Sequence, residues 1–380
     1  MNVNDKKGII SVIVCVAIFG LTYGLSAPLI ATQLQESGYS ERYIGLNAAM
    51  QAIGVFAVAP FIPWLFRRFS PRTLMGVSLA AITLIMLLFA WVPFILWFAL
   101  RLVLGIFSEI IMVLTETWIN DATVEQARAR TMAWYTAGIS VGFACGPLIL
   151  ACTGSQGNLP FFIGMAITLL ALVLIMLLGM ARKNHFDQPP LSFLKSIRLA
   201  FLVIVATGLN AAVEVAGLNF LSIYAMSHGW SERNAIILIS VLMLGAIVLQ
   251  PVIGIIADKV DRRKLIVVLA FLSAVGAAAW PWLLRWPDAT YLLLFLWGGV
   301  FVGIYTVAIT WAGSVFSGAE LAGVYAASSV SWGVGALLGP LLGGFAMSLT
   351  QHGLPLLVVI LCAAFCLLAA SKQNAMPGPA

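Results

Sequence analysis

Residues 251–264 read PVIGIIADKVDRRK, and residues 60–73 read PFIPWLFRRFSPRT. Both open on a proline inside an apolar stretch and close on a basic tail, and they align at an offset of 191. Two further registers follow on later stretches at an offset of 193. Gly105 meets Gly298 with Thr117-Trp118 against Thr310-Trp311, and Gly142-x3-Gly146-Pro147 meets Gly335-x3-Gly339-Pro340. Matches on successive elements at nearly one offset identify an internal repeat of about half the chain. The two copies have diverged: Pro63 stands where the second copy has Gly254, and Arg67 where it has Asp258.

The stretches around these registers are apolar enough to define the class. Hydrophobic residues make up 62% of the 380-residue chain and charged residues 9%, against roughly 45–50% and 25% in soluble domains. Water cannot accommodate that surface, whereas a bilayer can if the backbone satisfies itself in helices of about 20 residues. Twelve apolar stretches follow: 9–32, 43–66, 74–92, 94–118, 130–152, 159–181, 197–225, 233–256, 265–284, 290–313, 322–348 and 354–371. The first is too long for a signal peptide and is kept as a span. A polar stretch with Pro189-Pro190 divides six spans from six, giving residues 1–185 and 199–380 as two six-helix halves joined by a linker at 186–198.

Basic residues orient the chain. With both termini cytoplasmic, sixteen of the twenty Lys and Arg lie in inside segments and three (Arg42, Arg233, Arg285) outside, with Arg101 left within a span. The net charge of +6 then reflects topology and gives no reason to expect a nucleic acid partner. All five cysteines fall in apolar spans, where packing is the simpler expectation than a zinc site or disulfide framework. The histidines (His185, His228, His352) fall in loops or at span ends with no second ligand at metal spacing, so no metal or cofactor is expected.

Gly254-x3-Asp258-Lys259-x-Asp261-Arg262-Arg263 resembles the cytoplasmic-loop signature of the major facilitator superfamily. Arg101-x3-Gly105 and the Gly-Pro segments resemble its other signatures, and the run Glu116-Thr117-Trp118-Ile119-Asn120-Asp121 resembles its YcaD-like bacterial branch. The resemblance covers nearly the whole chain. It implies an all-α multi-pass protein of the bacterial inner membrane, with two pseudo-symmetric bundles working by alternating access, and a monomer as the expected state. In the family the loop contacts latch the cytoplasmic side. Carried to this chain, Gly254 admits a neighbouring helix closely, and Asp258 faces the N-terminus of span eleven. Glu320 pairs with Lys259 or Arg263, and Asp121 with Arg67, Arg68 or Arg72. Gly142, Gly146, Pro147, Gly335, Gly339 and Pro340 read best as helix-packing residues.

Charges inside a bilayer are costly and default to functional hypotheses. There are four here: Arg101, Glu109 and Glu116 in span four, and Glu214 in span seven. Glu109 and Glu116, seven apart, share a helix face, with Glu116 near the inner charge cluster. Glu214 lies one turn beyond Asn210 and is equivalent to Tyr23 at the offset of 191. In the family, spans one, four, seven and ten line the central cavity, which makes Tyr23, Arg101, Glu109, Asn210, Glu214, Tyr305, Thr310 and Trp311 candidate cavity residues. Glu109 or Glu214 is expected to carry the coupled proton, with Arg101 tuning one of them or binding an anionic group of the solute. A static Arg101–Glu109 bridge is the structural alternative.

These features point to a proton-coupled secondary transporter of a small organic solute. A copper importer is an alternative within the branch, but Met-x3-Met occurs only at Met176 and Met180 in span six, with single Met226 and Met243 in spans seven and eight. A drug–proton antiporter is weakened by the missing Gly-Gly after Pro147. A non-transporting sensor would be expected to carry an added soluble domain. No phosphate-binding glycine loop or nucleophile–histidine pairing suggests an enzyme.

Overall fold

A computed structural model describes residues 3–122, 125–178, 200–316 and 318–371. In chain order the α-helices are α1 (Val3–Glu36), α2 (Glu41–Val58), α3 (Ile62–Arg68), α4 (Pro71–Phe89), α5 (Trp97–Ala122), α6 (Glu125–Thr153) and α7 (Leu159–Leu178). The second half adds α8 (Phe201–Met226), α9 (Glu232–Val248), α10 (Gln250–Ala257), α11 (Arg262–Leu283), α12 (Pro287–Val315), α13 (Gly318–Leu349) and α14 (Gly353–Ser371). There is no strand among the described residues. Among the described residues, eleven helical stretches are long and apolar enough to cross a membrane, and Ala137–Thr153 is a shorter apolar helix.

Proline explains the two interrupted spans. Pro60 and Pro251 lack the N–H that would continue the helix ladder. The first span therefore passes from α2 through the 3-10 turn Ala59–Phe61 into α3, and the second from α9 into α10. Past each break the chain turns and restarts with a side-chain cap. The Ser70 hydroxyl accepts from the Thr73 N–H at 3.2 Å, and Asp261 from the Lys264 N–H at 2.8 Å. Each cap satisfies one orphan donor of the new helix, and the two positions are 191 apart.

The chain gathers into two compact units. One comprises Met1–Tyr39, Asn47–Phe186 and Glu232–Ser240, and the other Ser40–Leu46, Asp187–Ser231 and Val241–Ala380. Inside the first, α1 packs on α6 and α7, and α4 on α5 and α7. Inside the second, α8 packs on α13 and α14, and α11 on α12 and α14. The pairing order is the same in both.

Close backbone approach makes these contacts, because lipid gives helices no hydrophobic reason to associate and small residues let them touch. A Cβ on Gly142 would strike the Ala17 carbonyl, and one on Gly335 the Gly208 carbonyl. One on Gly146 would meet Leu21 O, and one on Gly339 Ala212 O. The crossings of the broken spans are built alike. Gly105 faces Gln51 O and Gly54 faces Leu102 O, while Gly298 faces Leu242 O and Gly245 faces Phe295 O. Every one of these pairs maps onto its counterpart at 191 or 193. Gly142, Gly146, Gly335 and Gly339 thus each lie against the backbone of a neighbouring helix, and Pro147 and Pro340 lie inside α6 and α13.

Candidate functional site

In the first unit, α1, α2 and α5 converge on Arg101, which is 2% exposed. Its Nη1 donates to Gln51 Oε1 at 3.0 Å and its Nη2 to the Ala27 carbonyl at 3.5 Å. Tyr23 lies near enough to bear on the guanidinium electrostatically, and its ring meets Phe143 edge-on at 5.4 Å. Glu109 is eight residues further along α5, about 12 Å down the axis at the helical rise. The guanidinium is directed at Gln51 and Ala27, so the Arg101–Glu109 bridge is not the arrangement adopted. Glu109 is half-buried and Glu116 exposed. The two carboxylates bear on each other electrostatically, as their shared face requires.

In the second unit, Asn210 Nδ2 donates to Glu214 Oε2 at 3.1 Å, across one turn of α8. Asn210 is buried, and its Oδ1 has no hydrogen-bond partner. On α12, Tyr305 and Trp311 are half-buried and Thr310 is exposed. The Thr310 hydroxyl donates back to Thr306 O at 2.8 Å, so that donor is spent within its own helix. Gln250, which no sequence pattern singled out, braces the break after α9. Its Oε1 accepts from the Thr306 hydroxyl at 2.6 Å and its Nε2 donates to Gly299 O at 3.3 Å.

In the basic clusters beyond α3 and α10, two arginines reach helix-end carbonyls. Arg72 donates to Met176 O at the end of α7, and Arg263 donates to Ala369 O at 3.0 and 2.9 Å and to Ala370 O at 3.1 Å at the end of α14. Both arginines therefore cap helix C-termini, where unpaired carbonyls and the helix dipole offer a fixed partial negative charge. Arg72 and Arg263 are 191 apart, and Met176 and Ala369 are 193 apart. Arg67 and Arg68 fall in the last turn of α3. Asp258 is exposed and pairs with Arg262 at 3.7 Å, one turn along its own chain; Lys259 beside it is also exposed. The side chains of the expected partners Asp121 and Glu320 lie outside the described residues. A Cβ on Gly254 would meet nothing within 4 Å among the described residues.

One cluster was missed altogether. His228, just after α8, and His352, just before α14, stack at 5.0 Å with 26° between their rings. Tyr224 holds both: its carbonyl lies 2.8 Å from His228 Nδ1, and its hydroxyl 3.1 Å from His352 Nδ1. Burial and the neighbouring His228 hold the His352 pKa below its ordinary value. The two residues are 124 apart, so no spacing rule could join them; the packing of α8 on α14 does. Among the described residues no group of three or more His, Cys, Asp or Glu could hold a metal ion. Met180, half of the single Met-x3-Met pair, lies outside them.

Comparison with known proteins bears on the whole chain. The profile of the Major Facilitator Superfamily matches residues 12–231 and 200–374. The uncharacterized MFS-type transporter YfkF of Bacillus subtilis is 26% identical over 352 residues, spanning 88% of this chain and 87% of that protein. The uncharacterized MFS-type transporter YcaD of Shigella flexneri is 26% identical over 282 residues, spanning 73% and 72%. Among solved structures, a point mutant of the nucleoside transporter NupG superposes with a TM-score of 0.81 at 13% identity, covering 96% of this chain and 100% of that one. A D-xylose–proton symporter superposes at 0.77 and 14% identity, covering 97% and 98%. At such identities the structural likeness establishes the fold alone.

Proposed function

This chain belongs to the major facilitator superfamily, in the YcaD-like group of transporters, and from that premise we propose that it moves a small organic solute by proton-coupled alternating access. It is a multi-pass membrane protein and a secondary transporter, in a family of carriers rather than enzymes. The proposal adds the bacterial inner membrane as its location, cytoplasmic termini, two six-helix bundles (1–185 and 199–380), and a single chain as the working unit. The repeated backbone contacts favour the two-bundle reading. The basic-residue asymmetry favours the orientation.

The observation that carries proton coupling is the Asn210–Glu214 pair. A carboxylate in the middle of an apolar helix is bonded there to a neutral amide. A neutral partner lets the carboxylate gain and lose a proton without breaking an ion pair, which a coupling acid must do in each cycle. Glu109 is the second candidate, half-buried on α5. The fold accommodates such coupling, since a D-xylose–proton symporter shares it. Tyr23, Arg101, Asn210, Tyr305, Thr310 and Trp311 would supply the polar and aromatic surface that orients the solute.

A thermal-shift panel of metabolites, antibiotics and metals on purified protein identifies a solute by mass action. That solute is then followed in proteoliposomes under an imposed pH gradient. Glu109→Gln or Glu214→Gln should abolish gradient-driven accumulation while leaving exchange down a solute gradient. If both variants accumulate solute at the full rate, proton coupling through these groups is wrong.

A further inference from the structure

The internal repeat supplies its own control for the crossing of α2 and α5. On α2, Asn47 is 0% exposed, and neither its Nδ2 nor its Oδ1 has a hydrogen-bond partner. A buried amide with both atoms unmatched is uncommon and calls for an explanation. Asn47 lies one turn from Gln51 on the same helix face, and Gln51 Oε1 holds Arg101. At the equivalent positions of the second half stand Leu238, Leu242 and Leu294, all buried. The backbone crossing is the same in both copies, with Gly105 against Gln51 O and Gly298 against Leu242 O. Leucine therefore suffices for the architecture, and the polar set in the first copy is not there to build it.

We propose that Asn47, with Gln51 and Arg101, forms a solute-binding subsite that opens during the transport cycle and receives a group presenting a hydrogen-bond donor and acceptor side by side. A carboxamide pairs bidentately with such an edge, as found on an amide or a nucleobase, and both unmatched atoms of Asn47 are then satisfied. In the arrangement described here the amide is sealed from solvent. Its unmatched atoms destabilise that arrangement relative to one in which solute or water reaches them. The inference rests on the transporter reading and is independent of proton coupling.

The test uses full-length protein in proteoliposomes, with Asn47→Cys or Leu238→Cys placed in a background lacking the five natural cysteines. The labelling probe is a small water-soluble methanethiosulfonate reagent. The Asn47→Cys thiol should react at least about tenfold faster than the Leu238→Cys thiol, and equal reactivity at the two positions overturns the subsite. The ligand class is read on the native side chain: uracil or nicotinamide should raise the Tm of the native chain where glucose does not, and failure of both to do so overturns the ligand class. Asn47→Leu provides a further reading: it should raise Tm by about 2 °C or more in the absence of ligand while removing the thermal shift caused by uracil or nicotinamide. Retention of that shift in Asn47→Leu also overturns the proposal. Glu109→Gln and Glu214→Gln should leave the labelling pattern unchanged, so a failure of proton coupling remains distinguishable from a failure of this site.

Discussion

The crossing of α2 with α5 and its counterpart, α9 with α12, share a backbone and differ in chemistry. Both bring a glycine of each helix against a carbonyl of the other. One surrounds that contact with Asn47, Gln51 and Arg101, with Ala27 O as a further acceptor; the other has Leu238, Leu242, Leu294 and Leu218 at the same register. The difference separates two kinds of constraint. Small residues at fixed spacing decide which helices touch, and they are retained in both copies. Buried polar groups are costly in a bilayer, and one copy has dispensed with them.

The glycine contacts are where the comparison should break most sharply. Gly105→Val and Gly298→Val each drive a side chain into a backbone carbonyl that cannot give way. Each should destabilise by ~3 kcal/mol or more and yield little monodisperse protein on size-exclusion chromatography. If one copy tolerates valine, the two crossings are not equivalent as argued.

A second effect should be asymmetric in sign. Gln51→Leu leaves the Arg101 guanidinium short of an acceptor in a buried site and should cost about 3 kcal/mol. The triple change Asn47→Leu, Gln51→Leu, Arg101→Leu reproduces the second copy's side chains and should recover most of that stability, read as Tm, while transport is lost. A triple variant that stays as unstable as the single would mean that the polar set is needed by the fold.

The arginine caps should behave alike in the two copies. Arg72→Ala and Arg263→Ala each release carbonyls at a helix C-terminus and should cost about 0.5–2 kcal/mol. Hydrogen exchange should rise in the last turns of α7 and α14 respectively. Exchange changes confined to the loops of origin would instead favour the charge-pairing gate.

The smallest effect belongs to the histidine pair, which only the second copy holds. Burial and His228 lower the His352 pKa, so the neutral ring is favoured while the pair is stacked. Around the cluster, Tyr224 supplies a hydroxyl and a carbonyl, and Arg42 at the start of α2 donates to Ser348 of α13 at 2.8 Å, four residues before His352. Opening lets His352 bind a proton it otherwise resists. The contact should therefore be fully present above about pH 6.5 and weaken as pH falls through that value toward the lowered one. The slope of Tm between pH 7 and pH 5 should be shallower in His352→Gln than in the native chain. Equal slopes would remove the pair from any pH response.

Much of the fold was legible because the bilayer imposes a one-dimensional rule. Each backbone polar group must be satisfied within its own helix, so apolar length alone reveals the spans. Glycine and proline registers added which helices repeat, and the contacts of Gly142 with Ala17 and of Gly335 with Gly208 follow that register. The candidate site was legible only in kind. Arg101 and Glu214 stand out because charge is rare in such segments, yet their partners Gln51, Ala27 and Asn210 depended on side-chain direction. The contacts of Arg72 and Arg263 with helix-end carbonyls were not legible, because a backbone carbonyl carries no residue-type signal.

Sequence by itself determined the membrane class, the series of apolar spans, the repeat and the rarity of buried charge, because hydropathy and register are properties of the chain order. Only the tertiary structure decided that Asn47 is buried with nothing to bond, that Arg101 is held by Gln51, and that His228 meets His352 across a gap of 124 residues. Those outcomes depend on what neighbouring helices present at a given depth, and a helix specifies its own faces without specifying what is packed against them.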